Sequence, residues 1–135
     1  MKNQNVYRET QEGVEKHLSE LKAALQSDEC VLDILFKKRG QAETDPCSTI
    51  FTMNELEYDM ADVRRELQSL TIADYKENMK DSKRPDSEPF FVFGKCIARR
   101  EVYIKEKLRS NSKIFCISFH FAEFPLKSSP YIKRF

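Results

Sequence analysis

Tyr103, Lys105 and Lys107 occupy every second position of one β-prone stretch, and Ser118 and His120 do the same in the next. Alternate side chains of a strand share a face. Val102 and Ile104 therefore turn toward a core, and Tyr103, Lys105 and Lys107 turn away from it. In the following strand Phe115, Ile117 and Phe119 share one face, while Cys116, Ser118 and His120 share the other. If the second set lies beside the Tyr103/Lys105 face, a phenol, an ammonium, a hydroxyl and an imidazole converge on one surface. Lys95, just after Phe93-Gly94 on the preceding strand, completes that set. Cleaving RNA by attack of the ribose 2′-hydroxyl needs a proton acceptor, a proton donor and cationic stabilisation of the phosphorane. Histidine suits the transfer because its ordinary pKa lies near working pH. Lysines supply fixed charge, and a tyrosine stacks on a base or donates its hydroxyl. Lys107, Arg99 and Ser118 are further candidate RNA contacts. No metal-binding carboxylate cluster accompanies these residues, so the reading calls for neither metal nor cofactor. The competing reading is ordinary: Lys and Tyr on a solvent-facing strand, and a structural His at its end.

The elements that must position this set follow from composition and periodicity. A chain of 135 residues fits one domain. With 40% hydrophobic and 33% charged residues, and only 3 Gly and 5 Pro, collagen-like and low-complexity classes are excluded. A mean hydropathy of −0.62 with no long apolar run excludes a transmembrane span, so no membrane partner is expected. Met1 to Asn5 carry no apolar leader segment, and the expected address is the cytoplasm. The net charge of +1 hides an asymmetry: residues 1–88 carry 13 Lys/Arg against 19 Asp/Glu, and residues 89–135 carry 10 against 3. The same C-terminal part holds 8 of the 10 Phe. A basic, aromatic, β-rich half joined to an acidic, helical half fits an anionic partner on the basic side, or acidic helices covering a basic sheet. Cys30, Cys47, Cys96 and Cys116 form no C-x-x-C pair. Cys96 and Cys116 lie in apolar runs and read as free core thiols.

Val14, Leu18, Leu21 and Leu25 make one face of a helix over Gln11–Ser27, capped by Thr10 or Asn5. Cys30–Phe36 reads as a strand, with a second helix as the alternative. Lys37–Ser48 reads as a loop; its Lys37-Lys38-Arg39-Gly40 is a solvated turn or, less simply, a phosphate contact. Met60–Leu70 reads as a helix with Asp59 as N-cap and Val63, Leu67 and Leu70 as its stripe. A turn follows at Thr71–Tyr75, with a short helix continuing to Met79, and then a polar loop over Lys80–Glu88. Phe90–Phe93, Glu101–Lys105 and Ile114–Phe119 are three strand signals. Turns at Arg99-Arg100 and Ser110-Asn111-Ser112 join them into an antiparallel meander. Pro125–Phe135 is an extended tail. Helices first and antiparallel strands afterwards predict an α+β class.

Glu55-Leu56-Glu57-Tyr58-Asp59, the helix to Leu70, then Asp74-Tyr75 and Met79, resemble the corresponding stretch of the MqsR toxin family. Val102-Tyr103-Ile104-Lys105 and Ile117-Ser118-Phe119 do so as well. The resemblance spans Asn54–His120, and only the order and spacing of its short motifs are specific. Phe91-Val92-Phe93-Gly94-Lys95 and Ser118-Phe119-His120 with Glu123-Phe124-Pro125 look like a divergent branch. The family belongs to the RelE-like bacterial toxins, endoribonucleases that cleave mRNA and are silenced by a cognate antitoxin protein. The resemblance implies N-terminal helices packed on a curved antiparallel sheet, with mRNA and an antitoxin as partners. Tyr103 matches the strand tyrosine of the family site, and His120 stands where members have a lysine after Ser-Phe. The family lysine after the Asp-aromatic pair falls on Glu77. Its role passes to neighbouring Lys76, or to Lys95 or Lys105. The family glutamine ahead of the tyrosine strand has no counterpart. Those two departures support a second reading, a non-catalytic nucleic-acid- or protein-binding module of the same fold.

Overall fold

The computed structural model describes residues 5–110 and 112–131, with the side chain of Ser110 left aside. Three α-helices and six strands follow one another along the chain: β1 (Val6–Tyr7), α1 (Gln11–Gln26), β2 (Val31–Ile34), α2 (Thr49–Leu56), α3 (Met60–Gln68), β3 (Tyr75–Met79), β4 (Phe90–Ile97), β5 (Arg100–Ser110) and β6 (Lys113–Phe121). The strands form one sheet of order β1-β3-β4-β5-β6-β2. All its pairings are antiparallel except β2 with β6, which is parallel. The class is α+β.

α1 starts where Thr10 accepts a hydrogen bond from the Gly13 N–H at 3.0 Å, leaving Asn5 outside the cap. Its predicted stripe of Val14, Leu18, Leu21 and Leu25 is buried, joined by Val63 and Leu67 of α3. Asp59 and Asp62 cap α3 reciprocally, each side chain accepting from the other's backbone N–H at 3.0 and 2.9 Å. These helices pack on one face of the sheet, against Phe91, Phe93, Val102, Ile104, Ile114, Cys116, Phe119 and Phe121. α2 lies along the β6 edge, where the Phe119 and Phe121 N–H groups donate to the hydroxyls of Thr49 and Thr52 at 3.0 and 2.9 Å.

Several expectations are corrected. Residues 75–79 form a strand instead of a short helix, because their backbone pairs with β1 and β4. A bulge at Lys76 turns both Tyr75 and Asn78 into the buried interior, which erases the period-two pattern. The acidic part therefore contributes three of the strands. α2 was not predicted; its signal is the cap, Ser48, whose hydroxyl accepts from the Phe51 N–H at 3.1 Å. Cys116 is buried in the core, whereas Cys96 is exposed; all four thiols are free. The turn expected at Ser110–Ser112 includes Asn111, which lies outside the described residues, as do residues 132–135 of the tail.

The strand alternation of β6 breaks at a second bulge. Lys105 faces Ser118 in register but Glu106 faces Cys116, so Ile117 is the additional residue. Ile114 and Cys116 before it, and Phe119 and Phe121 after it, all reach the same core. Phe119 thus does not share a face with Phe115, nor Cys116 with His120. The β4–β5 hairpin turns through Ala98 and Arg99, both left-handed at φ 51° and 67°. That geometry suits Asn-Gly, and L-residues other than Asn, Asp and Gly adopt it at a cost of about 1–2 kcal/mol each. The double substitution Ala98→Asn/Arg99→Gly is expected to stabilise the chain by about 1 kcal/mol or more in urea unfolding.

Candidate active site

The face opposite α1 and α3 carries three cross-strand rows. The first joins Gly94, Tyr103 and His120, the second Glu77, Val92, Lys105 and Ser118, and the third runs through Phe90, Lys107 and Phe115. The tail crosses the first row at Gly94. A Cβ there would collide with the Leu126 side chain and come within 3.0 Å of the Lys76 Cε, so only glycine admits the tail.

Tyr103 and His120 are directly opposed and their rings stack, with centroids 5.3 Å apart and planes 21° from parallel. His120 donates Nδ1–H to the Phe121 carbonyl at 2.9 Å, which fixes the tautomer and leaves Nε2 as a proton acceptor. Burial, with the nearby Lys38 charge, pulls the imidazole below its ordinary 6.5, opposed by the Phe121 hydrogen bond and by Asp45 and Glu123. The phenol of Tyr103 is pushed up to about 12, first by burial and then by the Glu77 carboxylate. It therefore keeps its proton at any working pH.

Lys105 is half-buried beside them. Its ammonium lies 4.8 Å from the centre of the Phe90 ring and donates to the Met79 sulfur at 3.0 Å. A thioether is a weak acceptor. No carboxylate reaches Lys105 within ion-pair distance among the described residues. Burial holds its pKa below the ordinary 10.5, and Lys38 lowers it further. Ser118, its register partner, is buried with a hydroxyl that finds no hydrogen-bond partner. An unpaired cation and an unsatisfied hydroxyl side by side both gain from an anion or a polar ligand. Lys38 bears electrostatically on His120 and Lys105 alike, which makes it a second cation at this spot. The sequence signal for it was the Lys37–Gly40 turn; nothing local tied that turn to the sheet.

The other candidates lie apart. Lys95 is on the helix-covered side, in register with Val102, and donates to Ser69 at 2.5 Å and Glu66 at 3.1 Å on α3. It cannot complete the Tyr103/His120 set, which corrects the strand-order argument. Lys76, at the bulge, donates to the Lys127 carbonyl at 2.6 Å and holds the tail. Arg99 sits exposed at the hairpin tip, away from the three rows. Lys107 shares the face but is engaged by Asp81 at 2.9 Å. The described residues contain no group of three or more His, Cys, Asp or Glu placed to hold a metal ion. No described helix is long and apolar enough to cross a membrane. The chain matches no protein-family model, no curated protein and no solved structure.

Proposed function

We propose that the sheet face opposite α1 and α3 is the active site of a metal-independent endoribonuclease, with Lys105, Lys38 and Ser118 receiving the scissile phosphate. The observation that carries this reading is the unpaired Lys105 ammonium beside the Tyr103–His120 stack. His120 Nε2 takes the proton of the ribose 2′-hydroxyl. The 2′-oxygen then forms a bond to phosphorus, and the bond from phosphorus to the 5′-oxygen breaks. The departing oxygen takes the Tyr103 proton, and the phenol is recharged from the imidazolium. The products are a 2′,3′-cyclic phosphate and a 5′-hydroxyl. Lysine charges oppose the extra negative charge of the phosphorane. Free mRNA cleavage is toxic to its cell, so the reading includes the toxin role that the MqsR-like motifs suggest and a cognate antitoxin over this face.

The test is incubation with single-stranded RNA in the presence of a chelator, followed across pH. Activity is expected to rise as His120 loses its proton, on a limb centred below 6.5 because its pKa is lowered. It is expected to fall as Lys105 loses its own, on a limb centred below 10.5. An acid limb above the ordinary histidine range, or activity abolished by the chelator, would contradict this assignment. Glu77, whose carboxylate lies near Tyr103, favours a second reading in which the face binds a strand without cutting it. Salt-sensitive RNA binding with no products would select that alternative.

A further inference from the structure

Beyond Lys105 the same face opens into a groove of about 700 Å³ between β5 and the loop 80–88. Its lining includes Lys80, Lys83, Arg84, Lys105, Lys107 and Arg109, against the acidic Asp81 and Glu88. The cations stand on an aromatic floor. Lys107 lies 4.7 Å above the Phe90 ring and Arg109 4.1 Å above Phe115, and those two rings are 6.1 Å apart.

The anion in this groove is the protein's own. One Asp81 carboxylate oxygen accepts from the buried Lys107 ammonium at 2.9 Å. The other accepts from the backbone N–H groups of Lys83 and Arg84 at 3.0 and 3.3 Å. Ser87 and the Glu88 carbonyl complete the surroundings of Lys107 at 3.2 and 3.4 Å. Successive N–H groups of a turn together with a lysine are the donor set that takes a phosphate oxygen. The Lys107 charge holds the Asp81 carboxyl below the usual carboxylate range, so it stays ionised in place. Among the described residues the ion pair of Arg109 is an exposed one, with Asp33 at 3.6 Å. Lys105, Lys107 and Arg109 recur along β5 at two-residue steps of roughly 7 Å, an extended track of positive charge.

We infer that this groove is a second phosphate site for the same strand, in which a backbone phosphate replaces the Asp81 carboxylate on Lys107 and the loop 80–88. This inference rests on the proposed RNA-binding role of the face but not on cleavage. Asp81 closes the subsite when no strand is bound, and polynucleotide entry exchanges one anion for another.

The experiment measures binding of a short single-stranded 2′-deoxy oligonucleotide, which lacks the attacking hydroxyl, over a range of salt. Asp81→Asn is expected to bind more tightly than the parent chain. Lys107→Met is expected to bind more weakly, with the slope of log K against log salt reduced by about 0.7. Arg109→Gln, at an exposed side chain, is expected to lose a similar slope and reports the track should Lys107→Met fail to fold. Equal or weaker binding by Asp81→Asn would overturn the inference, as would unchanged slopes in both cation variants. RNA cleavage alongside indifferent Asp81→Asn binding would sink this inference alone. The expected shifts alongside intact RNA would sink the cleavage step alone.

Discussion

His120→Gln is expected to lower the rate of RNA cleavage by about 10²–10⁴-fold, the usual contribution of a positioned proton-transfer group. Glutamine retains a polar tip but has no lone pair basic enough to take the 2′-hydroxyl proton. Binding of an uncleavable deoxy strand is expected to change little, because Lys105, Lys38 and Ser118 remain. Tyr103→Phe isolates the second role. It keeps a ring to stack on His120, now 5.3 Å from the phenol ring, and removes only the hydroxyl. A loss of about 100-fold with unaltered strand affinity is the expected result if that hydroxyl protonates the leaving oxygen. Lys95→Met serves as the contrast, since its ammonium is tied to α3 on the other side of the sheet. Its cleavage rate is expected to stay near that of the parent.

The largest effect on stability is expected at a site that contributes nothing to this chemistry. Glu106, on the helix-facing side of β5, is wholly buried, and its carboxylate is hydrogen-bonded by His17 of α1. The second carboxylate oxygen lies 3.1 Å from the same His17 nitrogen. The imidazole also stacks on Phe91, with centroids 3.7 Å apart and planes within 2°. His17→Leu leaves the Glu106 carboxylate without its partner in the interior, and removing one member of a buried pair costs about 3–5 kcal/mol. Thermal unfolding is then expected about 10 °C or more below the parent. The double variant His17→Leu/Glu106→Leu removes both polar groups and is expected to recover most of the loss. A double variant no more stable than His17→Leu alone would show that shape at this position matters more than charge.

The elements with strong local periodicity were legible in the sequence: α1, α3 and the β4–β5–β6 meander follow from apolar spacing and turn residues alone. Whether the Tyr103 and His120 faces adjoin was left open by the sequence, because two register shifts lie between that pair and the turn and alternation alone does not reveal them. What the sequence concealed arises from bulges and from long-range pairing. The bulge at Lys76 disguises β3 as a helical continuation, and the bulge at Ile117 sends Cys116 and Phe119 to the same side although they are three positions apart. No local signal says that β2 runs parallel to β6, since that register is set across the chain. Lys95 follows a similar rule. Gly94, one residue before it, is the position that faces the site, and a one-residue offset exchanges the faces of a strand. Nothing local in the sequence ties His17 to Glu106, which lies 89 positions further along the chain.

The chemical identity of the new RNA ends tests the central claim most directly. Single-stranded mRNA would be incubated with the purified chain, with and without translating ribosomes, and the fragment termini characterised. Attack by the neighbouring 2′-hydroxyl predicts fragments ending in a 2′,3′-cyclic phosphate, each followed by a fragment beginning with a 5′-hydroxyl, and none from a strand that is 2′-deoxy at the cleaved position. Fragments with 3′-hydroxyl and 5′-phosphate ends, or RNA left intact under both conditions, would contradict it.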